Sequence, residues 1–230
     1  NQPLHLTTNL LSCQATILDY LTNLDENIPF REILEIVNQL VQIINKDSIM
    51  TVKACLVGSG AKNLVIQNAN NPIDLDYNII IIDAVDINNG RVIKEYIRKQ
   101  FNIVLSKNDW NDCQDSTSAL TTGQMIFKQG SKTAFSIDLA ITCKYNNCWH
   151  RLIHEKTGLV NFDRYYWNEV PNSWKLEQKV YAIKSNYLWN EVRDTYLEKK
   201  NLYLRRNDYT HPSFVVYIET VNEIFHGYSL

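Results

Sequence analysis

The segment Ile73-Asp74-Leu75-Asp76-Tyr77, running into Asn78-Ile79-Ile80-Ile81-Ile82-Asp83, decides how the chain is read. Its β-branched density predicts a strand over Ile73–Asp83. In a strand, residues two apart leave the same face, so Asp74 and Asp76 project together while Leu75 and Tyr77 point the other way. Two like charges on one strand face repel, and at least one carboxyl has its proton affinity raised unless a cation neutralises them. A divalent ion does this. Hard oxygen donors from one or two carboxylates, completed by water and substrate phosphate, describe a Mg²⁺ site, with Mn²⁺ as the alternative ion. A third acid lets the site hold two ions about 3.5–4 Å apart.

The best third acid is Asp138. In Phe135-Ser-Ile-Asp-Leu-Ala-Ile141 the odd positions form an apolar face, and Asp138 shares the opposite face with Ser136 and Ala140. Such an acid on a strongly hydrophobic strand needs a partner. By contrast, Asp83 and Asp86 lie at a strand end, and Asp109, Asp112 and Asp115 fall in a polar loop where a surface role satisfies them.

Upstream, Val52–Val57 predicts a short strand ending in Gly58-Ser59-Gly60. This turn is not a Walker A loop, which needs GxxxxGK followed by Ser or Thr, because the chain reads Gly58-Ser-Gly-Ala-Lys-Asn63. A dinucleotide fingerprint fails at Asn63, and Asp76 stands at the beginning of its strand rather than the end, where a ribose-binding acid belongs.

A strand ending in Gly-Ser, then a helical stretch, an Asp-x-Asp opening the next strand and one Asp on a later strand resembles the nucleotidyltransferase superfamily. That family includes DNA polymerase β, minimal and antibiotic nucleotidyltransferases, and the oligoadenylate and cyclic-dinucleotide synthases. The resemblance covers about residues 52–142. It implies an α/β fold with a mixed sheet. It further implies that Gly58 and Ser59 hold a triphosphate, with Lys62 nearby, and that Asp74, Asp76 and Asp138 bind two metal ions, Asp138 also helping to activate an acceptor hydroxyl. Lys179 and Lys184, on a later helix, occupy a region where related enzymes place a basic side chain against the triphosphate. The implied reaction moves a nucleoside monophosphate from an NTP to a hydroxyl of a small molecule, nucleotide or protein, releasing pyrophosphate. A catalytically degenerate member that binds nucleotide or protein is the alternative: the three acids speak against it, and the long gap between Ser59 and Asp74 for it.

Other groups read as structural. His150 and His154 stand i, i+4 without an HExxH frame, so an ordinary surface or strand location is expected. Tyr165, Tyr166, Trp167 and Trp174 either stack a base or pack. Arg205 and Arg206 read as a helix-end charge pair.

Around this core, apolar spacing predicts helices over the first 50 residues (Leu10 to Leu21, Ile33 to Ile44), a helix over 90–101, and further strands at Ile103–Leu105, Gly123–Phe127 and Ala134–Thr142, the last two joined by Gln129-Gly130-Ser131. Helical stripes then run through Leu176, Val180, Ile183 and Tyr187, and through Phe214, Tyr217, Ile218, Val221 and Phe225. The expected organisation is N-terminal helices plus core over residues 1–160 and a C-terminal helical lobe over 161–230.

Composition agrees. In 230 residues, 45% are apolar, with only 7 Gly and 5 Pro, which excludes a disordered or collagen-like chain. Twenty-three basic against 25 acidic residues leave a net charge of −2, so no basic platform for long nucleic acid is expected. No apolar run is long enough to span a membrane, no basic-then-apolar leader is visible, and five cysteines without CxxC spacing argue against disulfides or structural zinc. These features predict a reduced, cytoplasmic protein.

Overall fold

The computed structural model describes residues 28–62, 64, 72–127, 134–171, 174–206 and 213–230. The helix expected over Leu10–Leu21 and the turn at Gln129-Gly130-Ser131 lie outside the described residues, as does the side chain of Trp174.

The chain divides into two compact units, with one break between Val170 and Pro171 and Lys62 grouped with the second. The first begins with α1 (Ile28–Lys46), followed by β1 (Met50–Leu56), a 3₁₀ turn (Gly60–Lys62) and β2 (Ile73–Ala84). After α2 (Gly90–Lys107) come β3 (Gln114–Asp115), β4 (Leu120–Thr121), β5 (Phe135–Tyr145), β6 (Cys148–Glu155) and β7 (Arg164–Glu169). The second unit carries α3 (Trp174–Ser185), α4 (Trp189–Arg205) and α5 (Ser213–Gly227).

β2 and β5 run parallel at the centre of a mixed sheet, and every other pairing among the described residues is antiparallel. β1 lies outside β2. The far edge of β5 is shared, β4 pairing at Leu139 and Asp138 and β6 from Thr142 to Tyr145. β5 and β6 are joined by Asn146-Asn147, both at positive φ (47° and 62°), the backbone of a tight two-residue hairpin that asparagine tolerates well.

One sheet face makes the core. Leu75, Tyr77, Ile79 and Ile81 of β2 and Ile137, Leu139 and Ile141 of β5 cluster with Ile33, Ile36, Val37, Leu40 and Ile44 of α1 and with Ile93, Ile97, Phe101, Val104 and Leu105 of α2. Because side chains alternate, this burial fixes which residues of β2 and β5 occupy the opposite face.

Four expectations need correction. Ile103–Leu105 is helical, because Val104 and Leu105 continue the buried stripe of Ile97 and Phe101 at helical spacing. Gly123–Phe127 contributes only an isolated bridge between Met125 and Phe135; Met125 is buried while neighbouring Ile126 is half exposed. Residues 164–169, expected in the helical lobe, form β7: Tyr165 and Trp167 face one side and Tyr166 the other, a period of two. In the second unit, the buried stripe of α5 is Val216, Tyr217, Thr220, Val221 and Ile224, leaving Phe214 exposed, and Tyr187 lies beyond α3, almost fully exposed.

Candidate active site

The apolar alternation of β2 and β5 turns Leu75, Tyr77, Ile137 and Leu139 into the core and so presents Asp74, Asp76 and Asp138 on the other face. The two strands bring Asp76 and Asp138 together by register. Asp76 pairs with Asp138 and Asp74 with Ser136, so Asp76 and Asp138 stand side by side on neighbouring strands about 4.8 Å apart. Thr121 of β4 pairs with Asp138 from its other side.

The Gly58-Ser59 turn meets the same place. β1 ends opposite the start of β2, with Leu56 paired to Tyr77 and the Val57 amide donating to the Asp76 carbonyl at 2.8 Å. Gly58 is at φ +64°, and a Cβ there would stand 2.1 Å from Asp76 Oδ2. Only glycine permits this approach, for reasons of both conformation and space. Gly58, Asp74, Asp76 and Asp138 therefore share one corner of the sheet.

The acids differ in their surroundings. Asp74 is exposed, and Ser136 Oγ donates to its Oδ1. Asp138 is half-buried, and its Oδ1 is buried without a hydrogen-bond partner. An anionic oxygen withdrawn from water and left unpaired is costly, and a cation relieves that cost. The donors are hard oxygens of the kind Mg²⁺ takes. Among the described residues no three His, Cys, Asp or Glu side chains are grouped so that they could hold a metal ion.

The three lysines named from the sequence fall in the second unit. Lys62 ends the 3₁₀ turn, its Nζ 5.0 Å from the centroid of the Tyr217 ring. Burial pushes the Tyr217 phenol up to about 12, so this ring remains neutral beneath the cation. Lys179 Nζ donates to Asn222 Oδ1 at 2.6 Å and lies over the Phe225 ring, engaged with α5. Lys184 lies over Trp189. The helical stretch expected after Gly58-Ser59 is, among the described residues, one 3₁₀ turn.

Behind the sheet, a polar network connects groups that the sequence left apart. Lys94 of α2 is 2% exposed, and its Nζ bonds Asp115 Oδ1 at 2.7 Å and the Ser116 carbonyl at 2.6 Å. The ring nitrogens of His154 stand 2.9 Å from Asp115 Oδ2 and 3.0 Å from Asp163 Oδ2, and the ring stacks on Tyr165 at 4.1 Å. Asp115, expected at the surface, is thus a largely buried partner, and His154 lies on strand β6, one of the two locations expected of it. The available signal was a lone Lys on the apolar stripe of α2, between Ile93 and Ile97. Trp167, one of the aromatic cluster, donates its indole N–H to the Ile87 carbonyl, which is a packing role.

No family model and no curated protein sequence matches the chain. Solved structures do. The chain is similar to the Elizabethkingia meningoseptica CdnE cyclic dinucleotide synthase with GTP and Apcpp, at 12% identity and a TM-score of 0.50, covering 82% of this chain and 68% of that one. It is also similar to E. coli MS115-1 CdnC, in its complex with HORMA-deltaN (16%, TM-score 0.52) and with ATP (14%, TM-score 0.53), each covering 86% of this chain. It spans 57–58% of the length of those CdnC chains. No helix among the described residues is long and apolar enough to cross a membrane. A parallel β2–β5 pair with antiparallel flanks, an apolar face under α1 and α2, and this likeness lead to one conclusion: the chain has the nucleotidyltransferase fold of the cyclic dinucleotide synthases.

Proposed function

We propose that the chain is a divalent-metal-dependent nucleotidyltransferase that moves a nucleoside monophosphate from an NTP to a hydroxyl and releases pyrophosphate. The observation that carries this reading is the register pairing of Asp76 with Asp138, with Asp74 two residues away on the same face and Gly58 against Asp76. Phosphoryl-type transfer asks mainly for positioning and charge neutralisation. Asp74, Asp76 and Asp138 would hold Mg²⁺, which supplies charge neutralisation at the phosphates and a more acidic hydroxyl.

The chain's own groups do the rest. The small residues of the Gly58-Ser59 turn let the backbone approach a triphosphate closely. Asp138 would orient an acceptor hydroxyl and receive its proton at the carboxylate. The core packing beneath β2 and β5 holds both carboxylates in fixed register. The similarity to synthases of cyclic dinucleotides favours a nucleotide as the acceptor.

The test incubates the protein with α-labelled NTPs and MgCl₂ and follows pyrophosphate release and labelled products. The wild type turns over. Asp76→Asn lowers the rate by about 10³-fold or more while leaving the melting temperature nearly unchanged. Turnover that survives Asp76→Asn overturns the reading, and triphosphate binding with no pyrophosphate release makes the chain a binding module instead.

A further inference from the structure

On the sheet face that carries the acids, three polar atoms besides Asp138 Oδ1 are buried without hydrogen-bond partners: Asn78 Oδ1, Thr142 Oγ1 and Arg151 Nε. They are neighbours by register. Asn78 follows Asp76 on the same face of β2 and pairs with Ala140, and Thr142 follows Ala140 on β5 and pairs directly with Arg151 of β6. Thr142 is 3% exposed. Ala140, with a single methyl group, stands between Asp138 and Thr142, and Ile80 pairs with Thr142 on the same face. A polar strip therefore leads away from the acids across three adjacent strands.

Unpaired buried polar atoms are rare in folded proteins because each forfeits its bonds to water. Three in one strip, beginning beside a proposed catalytic acid, point to a ligand that completes them. The spacing sets its size. At about 3.3 Å per residue, Asn78 lies about 7 Å beyond Asp76, and Thr142 about 13 Å beyond Asp138. That range is comparable to the reach of a nucleoside from its reacting phosphate or hydroxyl to the far edge of its base. Chemistry sets its class. Arg151 Nε–H only donates, Asn78 Oδ1 only accepts, and Thr142 Oγ1 does either. A phosphate leaves Asn78 Oδ1 unanswered, and an apolar group leaves all three, whereas a planar base edge presents donors and acceptors in fixed order.

We propose that Asn78, Thr142 and Arg151 form the subsite that reads the hydrogen-bonding edge of a nucleobase, making them specificity-determining residues of this enzyme. The proposal rests on the nucleotidyl-transfer reading above, which supplies the nucleotide.

The experiment measures affinities of the full chain with Mg²⁺ for ATP, GTP, CTP and UTP, and for inorganic tripolyphosphate as the probe without a base. Thr142→Val and Asn78→Leu are near-isosteric and remove the unpaired atoms. The wild type discriminates among the four bases. In each variant that discrimination narrows by about tenfold, the equivalent of one hydrogen bond, while tripolyphosphate affinity is unchanged. The ligand-free melting temperature of Thr142→Val does not fall, since it loses an unsatisfied hydroxyl. Equal wild-type affinity for all four bases overturns the proposal, as does unaltered discrimination in Thr142→Val, which decides the matter even where Asn78→Leu does not fold. Failure of the wild type to bind any triphosphate or tripolyphosphate overturns the nucleotidyl-transfer reading itself and this subsite with it.

Discussion

Gly58 shows how one residue couples backbone conformation to the acid site. Its φ is +64°, and a methyl group added at its Cα would stand 2.1 Å from Asp76 Oδ2, so Gly58→Ala suffers twice, in the backbone and by displacing the carboxylate. The left-handed conformation costs a non-glycine residue about 1–2 kcal/mol. Urea denaturation should register that loss, and nucleotidyl transfer should fall by more than the stability change explains. Asp138 makes the opposite prediction. It sits directly across from Asp76, and like charges facing each other across strands are destabilising. Asp138→Asn is therefore expected to raise metal-free stability by about 0.5–1 kcal/mol while abolishing transfer, checked by melts in EDTA beside a pyrophosphate assay. Both acids were legible in the sequence because charge on an apolar strand contradicts its surroundings. The closeness of Gly58 to Asp76 was not, since it depends on how β1 and β2 end against each other.

Among the elements, α2 is tied to β3 and β6 by Lys94, Asp115 and His154. Burial works against ionisation of Asp115, but the Lys94 ammonium and then His154 outweigh it and hold its carboxyl below the ordinary value. Asp163 is lowered as well, first by the Thr157 amide and then by His154. A folded carboxyl that binds protons less readily than its unfolded counterpart contributes stability that is complete above the unfolded value, about 3.9, and is lost as the pH falls through the folded one. The urea midpoint should therefore decline on acidification below about pH 4, with a shallower decline in Asp115→Asn. At neutral pH, Asp115→Ala strands the Lys94 cation in the interior and should cost about 3–5 kcal/mol by denaturant titration. The helix itself is readable from its apolar stripe, although Ile103, Val104 and Leu105, β-formers in isolation, predict a strand for its last turn. Burial of Val104 and Leu105 against the sheet overrides that preference.

For the whole molecule, ligand linkage offers the broadest check. A triphosphate with Mg²⁺ that binds only the folded chain adds about 2.7 kcal/mol at 100 times its dissociation constant, so the melting temperature should climb with nucleotide concentration and lose that dependence in EDTA. A net charge of −2 predicts no retention of duplex DNA at 0.15 M salt in a filter assay, since long nucleic acid is held mainly through phosphate neutralisation. Residue order alone is enough for the local features: the alternation of β2 and β5, the shared face of Asp74 and Asp76, the Gly-Ser turn and the helical stripes of α1 and α2. Each follows from a period of 2 or 3.6 or from the chemistry of one turn, and needs no distant partner. Folding in three dimensions was needed to set the parallel register of Asp76 beside Asp138, the pairing of β6 and β7, the Lys94–Asp115–His154 network and the strip of Asn78, Thr142 and Arg151. Most of these join residues far apart in the chain, and which residues meet across such separations is settled by competition among all the core contacts at once rather than by any local preference.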